Sequence, residues 1–547
     1  MLRKVAALIF FSLAMFTSQS VPKYDIVIEG GTIYDGSGEE PYVGRVGIKD
    51  EKVAALGEFE GSGKITIDAS GKAVAPGFIN MLSWANVSLL HDGRSQSDIR
   101  QGVTLEVMGE GSSMGPLNEE MKKEMAEDQG DIKFDVTWNT LGEYLQHLED
   151  KGVSTNVASF VGNGTIRRHV IGYENREATG QELEEMKTLV DEAMQQGAVG
   201  ISSSLLYAPS GYANTGELIE LAKVASKYNG MYISHIRDEG NKLIPSVEEL
   251  LQIAEEADIA AEIYHLKASG EQNWHKLDTV FRMIQDARDR GLAITADMYT
   301  YPASSTGLHV QLPDWVREGG VEATIKRLAN PDLRERILND IEFEHTPDKI
   351  LLVGFKNPDL RKYIGKYLSE VAEELGKSPE ETMIHLIVED DSRIQVVYFS
   401  MSEENIAKKI QQPWMSFCSD AGSYSAEGVF LKQSTHPRAY GSFIRVLGKY
   451  SREEDLITLQ KAVHRLAALP AKNLNIKKRG LLKRGNFADV VIFDPEKVTD
   501  HATFQKPHQY ATGVSHVIVN GVQVLKDGEH TGATPGKFIK GPGYSGQ

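Results

Sequence analysis

Apolar and polar positions alternate along the chain in two ways. Residues 23 to 75 hold short β-rich runs, "YDIVIEGGTIYDG", "VGRVGIKDEKVAALG" and "ITIDASGKAVA", broken by Gly and Asp turns. The far end repeats this texture in "ADVVIFDP" and "VSHVIVNGVQVLKDG". Residues 21 to 75 and 476 to 547 are therefore expected to build one small β-sandwich domain from both chain ends. The centre reads differently. Eight apolar runs, "VAPGFINML", "GVTLEVMG", "NVASFVGN", "AVGISSSLL", "MYISHI", "AEIYHLK", "AITADMYTY" and "WMSFCSD", are mostly separated by helical patterns such as "GQELEEMKTLVDEAMQQG" and "TGELIELAKVASKYNG".

Eight strand–helix alternations predict an α/β fold, a (β/α)8 TIM-type barrel over residues 76 to 475, whose reactive groups gather at the C-terminal ends of the strands. Alternation alone leaves a doubly wound open sheet as the alternative. Residues 302 to 413, between the seventh and eighth runs, are far longer than a βα connection. They include "EATIKRLANPDLRERILNDI" and "KYLSEVAEELGKSPEETMIHLIVED", both helical in period, and predict a helical insertion over the barrel mouth that acts as a lid.

Charge and composition narrow the classes of partner. Asp and Glu number 77 against 59 Lys and Arg, a formal net charge of -18, which disfavours a nucleic-acid surface because phosphates are repelled. Residues 1 to 20, "MLRKVAALIFFSLAMFTSQS", have a basic start, an apolar run too short for a comfortable span, and small residues at a cleavage position. This is the layout of a signal peptide. It predicts export to a periplasm or secretion, with no stable membrane insertion afterwards. Cys418 is the one cysteine, so no intrachain disulfide forms.

If strands end at the reactive face, the polar residues that close apolar runs are the candidates. Four qualify: Glu110 after "LEVMG", His235 in "MYISHI", His265 in "AEIYHLK" and Asp420 in "MSFCSD". Two imidazoles and a carboxylate make a three-ligand Zn2+ site with an open position for water, and a free Asp beside that water is a general base. A lone strand-end histidine is more often a hydrogen-bonded structural residue, a lone Glu a solvated one, and Asp420 can start a turn. Their joint placement on runs two, five, six and eight favours chemistry.

The motifs "APGFIN", "GVTLEVMGEGSSMGPL", "ISSSLLYAPSGYANTGEL", "SHIRDEG", "HLKASG", "DMYTYPASST", "HPRAYGSFIRVLGKY" and "GLLKRGNFADVVIFD" resemble the amidohydrolase superfamily and, within it, the D-aminoacylase (N-acyl-D-amino-acid deacylase) family, over nearly the whole chain. The resemblance implies hydrolysis of a small-molecule N-acyl-D-amino acid, or of a peptide with D-residues, by a metal-activated water. His235 and His265 match the tightly held metal ligands, and Asp420 matches the base. Lys267, Tyr207, Tyr299 and Ser305 match residues around the substrate, and Arg438 matches the partner of its carboxylate.

Two departures from the family shape the expectation. Leu82 and Trp84 stand where a His-x-His pair closes the first strand, so one tightly bound Zn2+ is expected, with Leu82 and Trp84 as an apolar wall. "MGEGSSMG" lacks the family's cysteine ligand, and Glu110 is the nearest replacement. Asn163 stands where many relatives have histidine. A cyclic-amide hydrolase of the hydantoinase or dihydroorotase kind stays open, as does a non-catalytic binding protein on a decayed amidohydrolase fold.

Overall fold

The computed structural model describes residues 23–546. The leader expected over residues 1 to 20 lies outside them. Among the described residues no helix is long and apolar enough to cross a membrane.

The eight apolar runs form a closed parallel barrel. Its strands are β1 (Phe78–Asn80), β2 (Val103–Met108), β3 (Asn156–Ser159, continued by Val161–Gly162), β4 (Gly200–Ser204), β5 (Met231–His235), β6 (Ala260–Ile263), β7 (Ile294–Met298) and β8 (Met415–Phe417). Each pairs in parallel with the next. The ring closes where Met81 N–H donates to Phe417 O at 3.2 Å and Asp420 N–H to Leu82 O at 2.9 Å. This closure decides between barrel and open sheet, because an open sheet leaves its first and last strands unpaired.

The helices outside the ring follow from their spacing and caps. The helix Gly180–Gln195 starts on a capping box, Thr179 with Glu182, and buries Met186, Val190, Ala193 and Met194, one stripe at i, i+4, i+7 and i+8.

Both chain ends share one nine-stranded sheet. Its seam is the antiparallel pair Ala73–Pro76 with Val490–Phe493, in which Val490 faces Pro76 and Phe493 faces Ala73. Period-two alternation then assigns faces: Val490 and Ile492 enter the β-domain core with Ile26, Ile28 and Ile518, while Val491 and Phe493 enter the barrel core. The C-terminal boundary needs correction. Beyond Glu529–His530 the chain leaves the sheet and runs under the barrel, where Lys537 O accepts from Val157 N–H at 3.0 Å and Gly541 N–H donates to Gly197 O at 2.9 Å. Phe538 and Ile539 are buried in the barrel cores, so this tail closes the barrel floor.

The insertion also differs from its expectation. It has helices, among them Gly320–Leu328 and Pro379–Asp390, but also an antiparallel sheet of Ser304–Gly307, Gln395–Tyr398 and Ile350–Gly354, over a separate apolar core that includes Leu352, Met383, Ile387 and Val396. The strands are four or five residues long, and the polar run Ser304–Gly307 carries no apolar alternation. The insertion ends before residue 413, because Ile406 and Ile410 of the helix Glu403–Ile410 pack into the barrel core.

One buried carboxyl in the barrel sets a pH dependence. Glu262 on β6 accepts from Thr295, from Ser416 Oγ at 3.2 Å and from Asn473 Nδ2 at 2.9 Å. Burial, with Asp297 adding to it, pushes its pKa up to about 8. A folded-state pKa above the ordinary carboxylate range means stability that is complete below about pH 4.5 and falls as pH rises towards 8. Glu262→Gln is expected to flatten that fall, measured as the difference in Tm between about pH 5 and pH 8; a wild-type Tm that holds constant over this window contradicts it.

Candidate functional site

Glu110, His235 and His265 converge at the C-terminal mouth of the barrel. Glu110 follows Gly109, whose φ of 100° bends the chain inward after β2, and His235 is the last residue of β5. His265 lies two residues past β6 with φ 35°, held there by its N–H donating to Asp297 Oδ1 at 2.7 Å. Glu110 Oε1 is 2.9 Å from His235 Nδ1 and 2.9 Å from His265 Nε2, and the rings meet edge to face with centroids 4.6 Å apart.

This donor set fits a divalent cation. Three ligand atoms lie within 4.8 Å of one another on buried side chains. Two ligands of a tetrahedral zinc ion sit roughly 3.3 Å apart, close to the spacings found. The electrostatics agree. Burial and the Lys267 ammonium disfavour charge on His265, yet Glu110, Asp420 and Glu239 together raise its pKa to about 10. A field that so favours a proton also favours a metal cation.

Glu239 escaped the sequence reading. Its Oε1 accepts from Lys267 Nζ at 2.6 Å and lies 3.2 Å from His265 Nδ1, while Oε2 is 3.6 Å from His235 Nε2. Burial opposes its ionisation, but Lys267 and the two imidazoles hold its carboxyl far below the usual range. One carboxylate thus anchors Lys267 and flanks His265, as partners of ligating histidines do, while His235 Nε2 stays without a hydrogen-bond partner. The signal was present in "SHIRDEG", an acid four residues after a strand-end histidine, but that spacing has no fixed geometry outside a helix. Lys267 Nζ is also 2.7 Å from His265 Nδ1.

Asp420, three residues past β8, stands across the mouth with φ 49°. Burial raises its pKa, against Arg438 and His265, which pull it down. Arg438 Nη1 is 2.7 Å from Asp420 Oδ2 but off the hydrogen-bond direction, and Arg438 Nε has no acceptor. The guanidinium lies 4.5 Å from the Tyr299 ring centroid, a cation–π contact, and the buried Tyr299 hydroxyl also lacks a partner. Donors therefore remain for a substrate.

The other candidates are spread along the wall. Tyr207 packs its ring 5.3 Å from that of His235 and hydrogen-bonds Thr306 Oγ1 at 2.7 Å, which ties the wall to the insertion. Ser305 turns its hydroxyl into the insertion sheet, donating to Val396 O at 2.8 Å and accepting from Gln395 Nε2 at 2.9 Å. Asn163 bonds to Ser210, from Ser210 Oγ at 2.5 Å and to Ser210 O at 3.3 Å, and locks the two loops together.

Leu82 is buried in the barrel interior with Tyr264 and Cys418, as an apolar residue should be. The apolar wall expected of Trp84 is corrected: its indole N–H donates to Glu110 Oε2 at 3.0 Å and to Asp420 Oδ1 at 3.2 Å. No sequence signal marks this, because the direction of an indole N–H is set by contacts with residues from other strands.

The chain is similar to known amidohydrolases along most of its length. The profile described as the amidohydrolase family matches residues 434–525. A D-aminoacylase from Alcaligenes xylosoxydans xylosoxydans is 31% identical over 532 residues, covering 96% of this chain and 99% of the relative. The crystal structure of an N-acyl-D-glutamate deacylase from Bordetella bronchiseptica, complexed with zinc and a phosphonate mimic of the tetrahedral intermediate, superposes with a TM-score of 0.79 at 29% identity, covering 95% of this chain and 100% of that one. A D-hydantoinase structure, at 15% identity and a TM-score of 0.53 over 94% of this chain and 98% of that one, shares the fold alone. With nearly a third of its residues matched along the full length of a curated D-aminoacylase, and the same barrel and β-domain beneath them, the chain belongs to the D-aminoacylase family of amidohydrolases.

Proposed function

We propose that this amidohydrolase removes the acyl group from N-acyl-D-amino acids, or from peptides that carry D-residues, using one zinc ion held by Glu110, His235 and His265. The observation that carries the reading is the convergence of that ligand trio with Asp420 across one barrel mouth. Held by Glu110, His235 and His265, a divalent ion would supply Lewis acidity, able to lower the pKa of water to about 7 and to polarise an amide carbonyl.

The chain's own residues do the rest. Asp420 accepts the proton of the attacking water and returns it to the leaving nitrogen, so that a free carboxylate and an amine are released. Arg438, with Nε unpaired and Tyr299 beneath it, receives the substrate carboxylate, for which a planar guanidinium is geometrically suited. Lys267 holds a second positive charge nearby, anchored by Glu239. Tyr207 closes the wall beside His235 and donates to the developing oxyanion once its hydroxyl turns from Thr306. Ser305, through its carbonyl 3.4 Å from Arg438 Nη2, helps aim the guanidinium.

The leader-like opening supports an exported enzyme. One experiment tests both points: cell fractions and purified protein are assayed against paired N-acyl-D- and N-acyl-L-amino acids, D-residue dipeptides and hydantoins. Release of D-amino acids, concentrated in the exported fraction, is expected. Opening of hydantoins without cleavage of linear amides would replace this reading with the cyclic-amide one.

A further inference from the structure

Trp84 occupies the end of β1 in a way that packing does not explain. Trp138, a packing tryptophan, is 2% exposed and spends its N–H on Met114 O at 2.7 Å. Trp84 is 39% exposed, at the open mouth, yet aims its N–H inward between two carboxylates.

Those two carboxylates divide their oxygens in an orderly way. Glu110 gives Oε1 to both imidazoles and Oε2 to the indole, while Asp420 gives Oδ1 to the indole and turns Oδ2 towards Arg438. The oxygens that Glu110 and Asp420 turn towards each other, Oε2 and Oδ1, are the ones a second cation between these carboxylates would meet, and the indole N–H bonds both. Indole nitrogen is a donor with no lone pair to offer a metal, so Trp84 fills that position without ligating.

We propose that Trp84 is a positioning residue that stands in for a second cation: its N–H ties Glu110 to Asp420, fixes Glu110 Oε1 towards the two histidines, and keeps the centre mononuclear. A neutral N–H dipole aimed between two carboxylates eases their mutual repulsion without adding a charge, and leaves one ion site instead of two. Leu82, buried below, adds no donor. The inference rests on the zinc reading above and deepens it.

Metal binding without substrate tests it, so failure of the substrate assignment leaves the result readable. The metal-stripped full chain is titrated calorimetrically with Zn2+, while tryptophan emission is followed in parallel. Wild type is expected to bind about one ion per chain. Trp84→Phe keeps a ring but loses the N–H, and should bind its ion ~10–100-fold more weakly, the usual cost of losing an outer partner of a ligand. Its emission should also lack the change that zinc produces in wild type. Trp84→His offers a lone pair and should take up a second ion. Two equally tight ions in wild type, or wild-type affinity in Trp84→Phe, overturns the proposal. Should Trp84→His fail to fold, the other two proteins decide the matter.

Discussion

Asp420→Asn is expected to lower kcat by about 10²–10⁴-fold, the range that a positioned acid–base group contributes, while the purified protein keeps its metal. An amide has nearly the shape of the carboxylate, so the Trp84 N–H still finds an oxygen acceptor and the chain keeps the φ of 49° that Asn tolerates well. What the variant loses is the ability to take a proton from water and pass it to the leaving nitrogen. The contact with Arg438, 2.7 Å away, also loses its charge, so KM for a carboxylate substrate should fall or hold as the guanidinium is released to the substrate. Steady-state kinetics with metal analysis on the same sample separates the two effects. Wild-type turnover in Asp420→Asn would remove it from the role of base.

His265→Ala is expected to cost more than any change outside the ligand trio: tight metal binding should be lost, and turnover with it. His265, a ligand in the proposed site, is placed by several neighbours: its N–H is held by Asp297, and its outer nitrogen faces Lys267 and Glu239. Its removal leaves two ligands and a cavity, a larger loss than the ~10–100-fold in affinity that outer-partner changes cost. Glu110→Ala is the companion variant, because Glu110 Oε1 touches both imidazoles. Both should lose metal by elemental analysis while still unfolding in one cooperative transition in chelator, with a Tm lowered by the cavity and the orphaned partners. Retention of a tight ion by Glu110→Ala would move the third ligand elsewhere.

Much of the site could be read along the chain because strand ends are local features. Each of Glu110, His235, His265 and Asp420 closes an apolar run, and in a parallel barrel the ends of all runs lie on one face. The barrel helices announced themselves through caps and spacing, as in Thr179, Glu182 and the Met186 stripe. Glu239 and Trp84 were not legible in the same way. Glu239 lies on a loop with no period, and the role of Trp84 depends on where its N–H points after strands one, two and eight have met. The insertion sheet was hidden for a related reason: Ser304–Gly307 is polar and short, and its pairing with Gln395–Tyr398 spans some ninety residues of chain, where loop closure and not local pattern sets the outcome.

Sequence alone determined the alternation of strands and helices, the polar residues at the strand ends and the absence of a strand-one histidine pair, since periodicity and side-chain chemistry belong to single residues and their near neighbours. Only the tertiary structure decided that the barrel closes between Leu82 and Asp420, that the C-terminal tail seals its floor, and that Trp84 joins the carboxylates that follow strands two and eight. Apart from the Trp84–Glu110 bond, those contacts join residues hundreds of positions apart, and the burial that makes them strong arises only when the ring is complete.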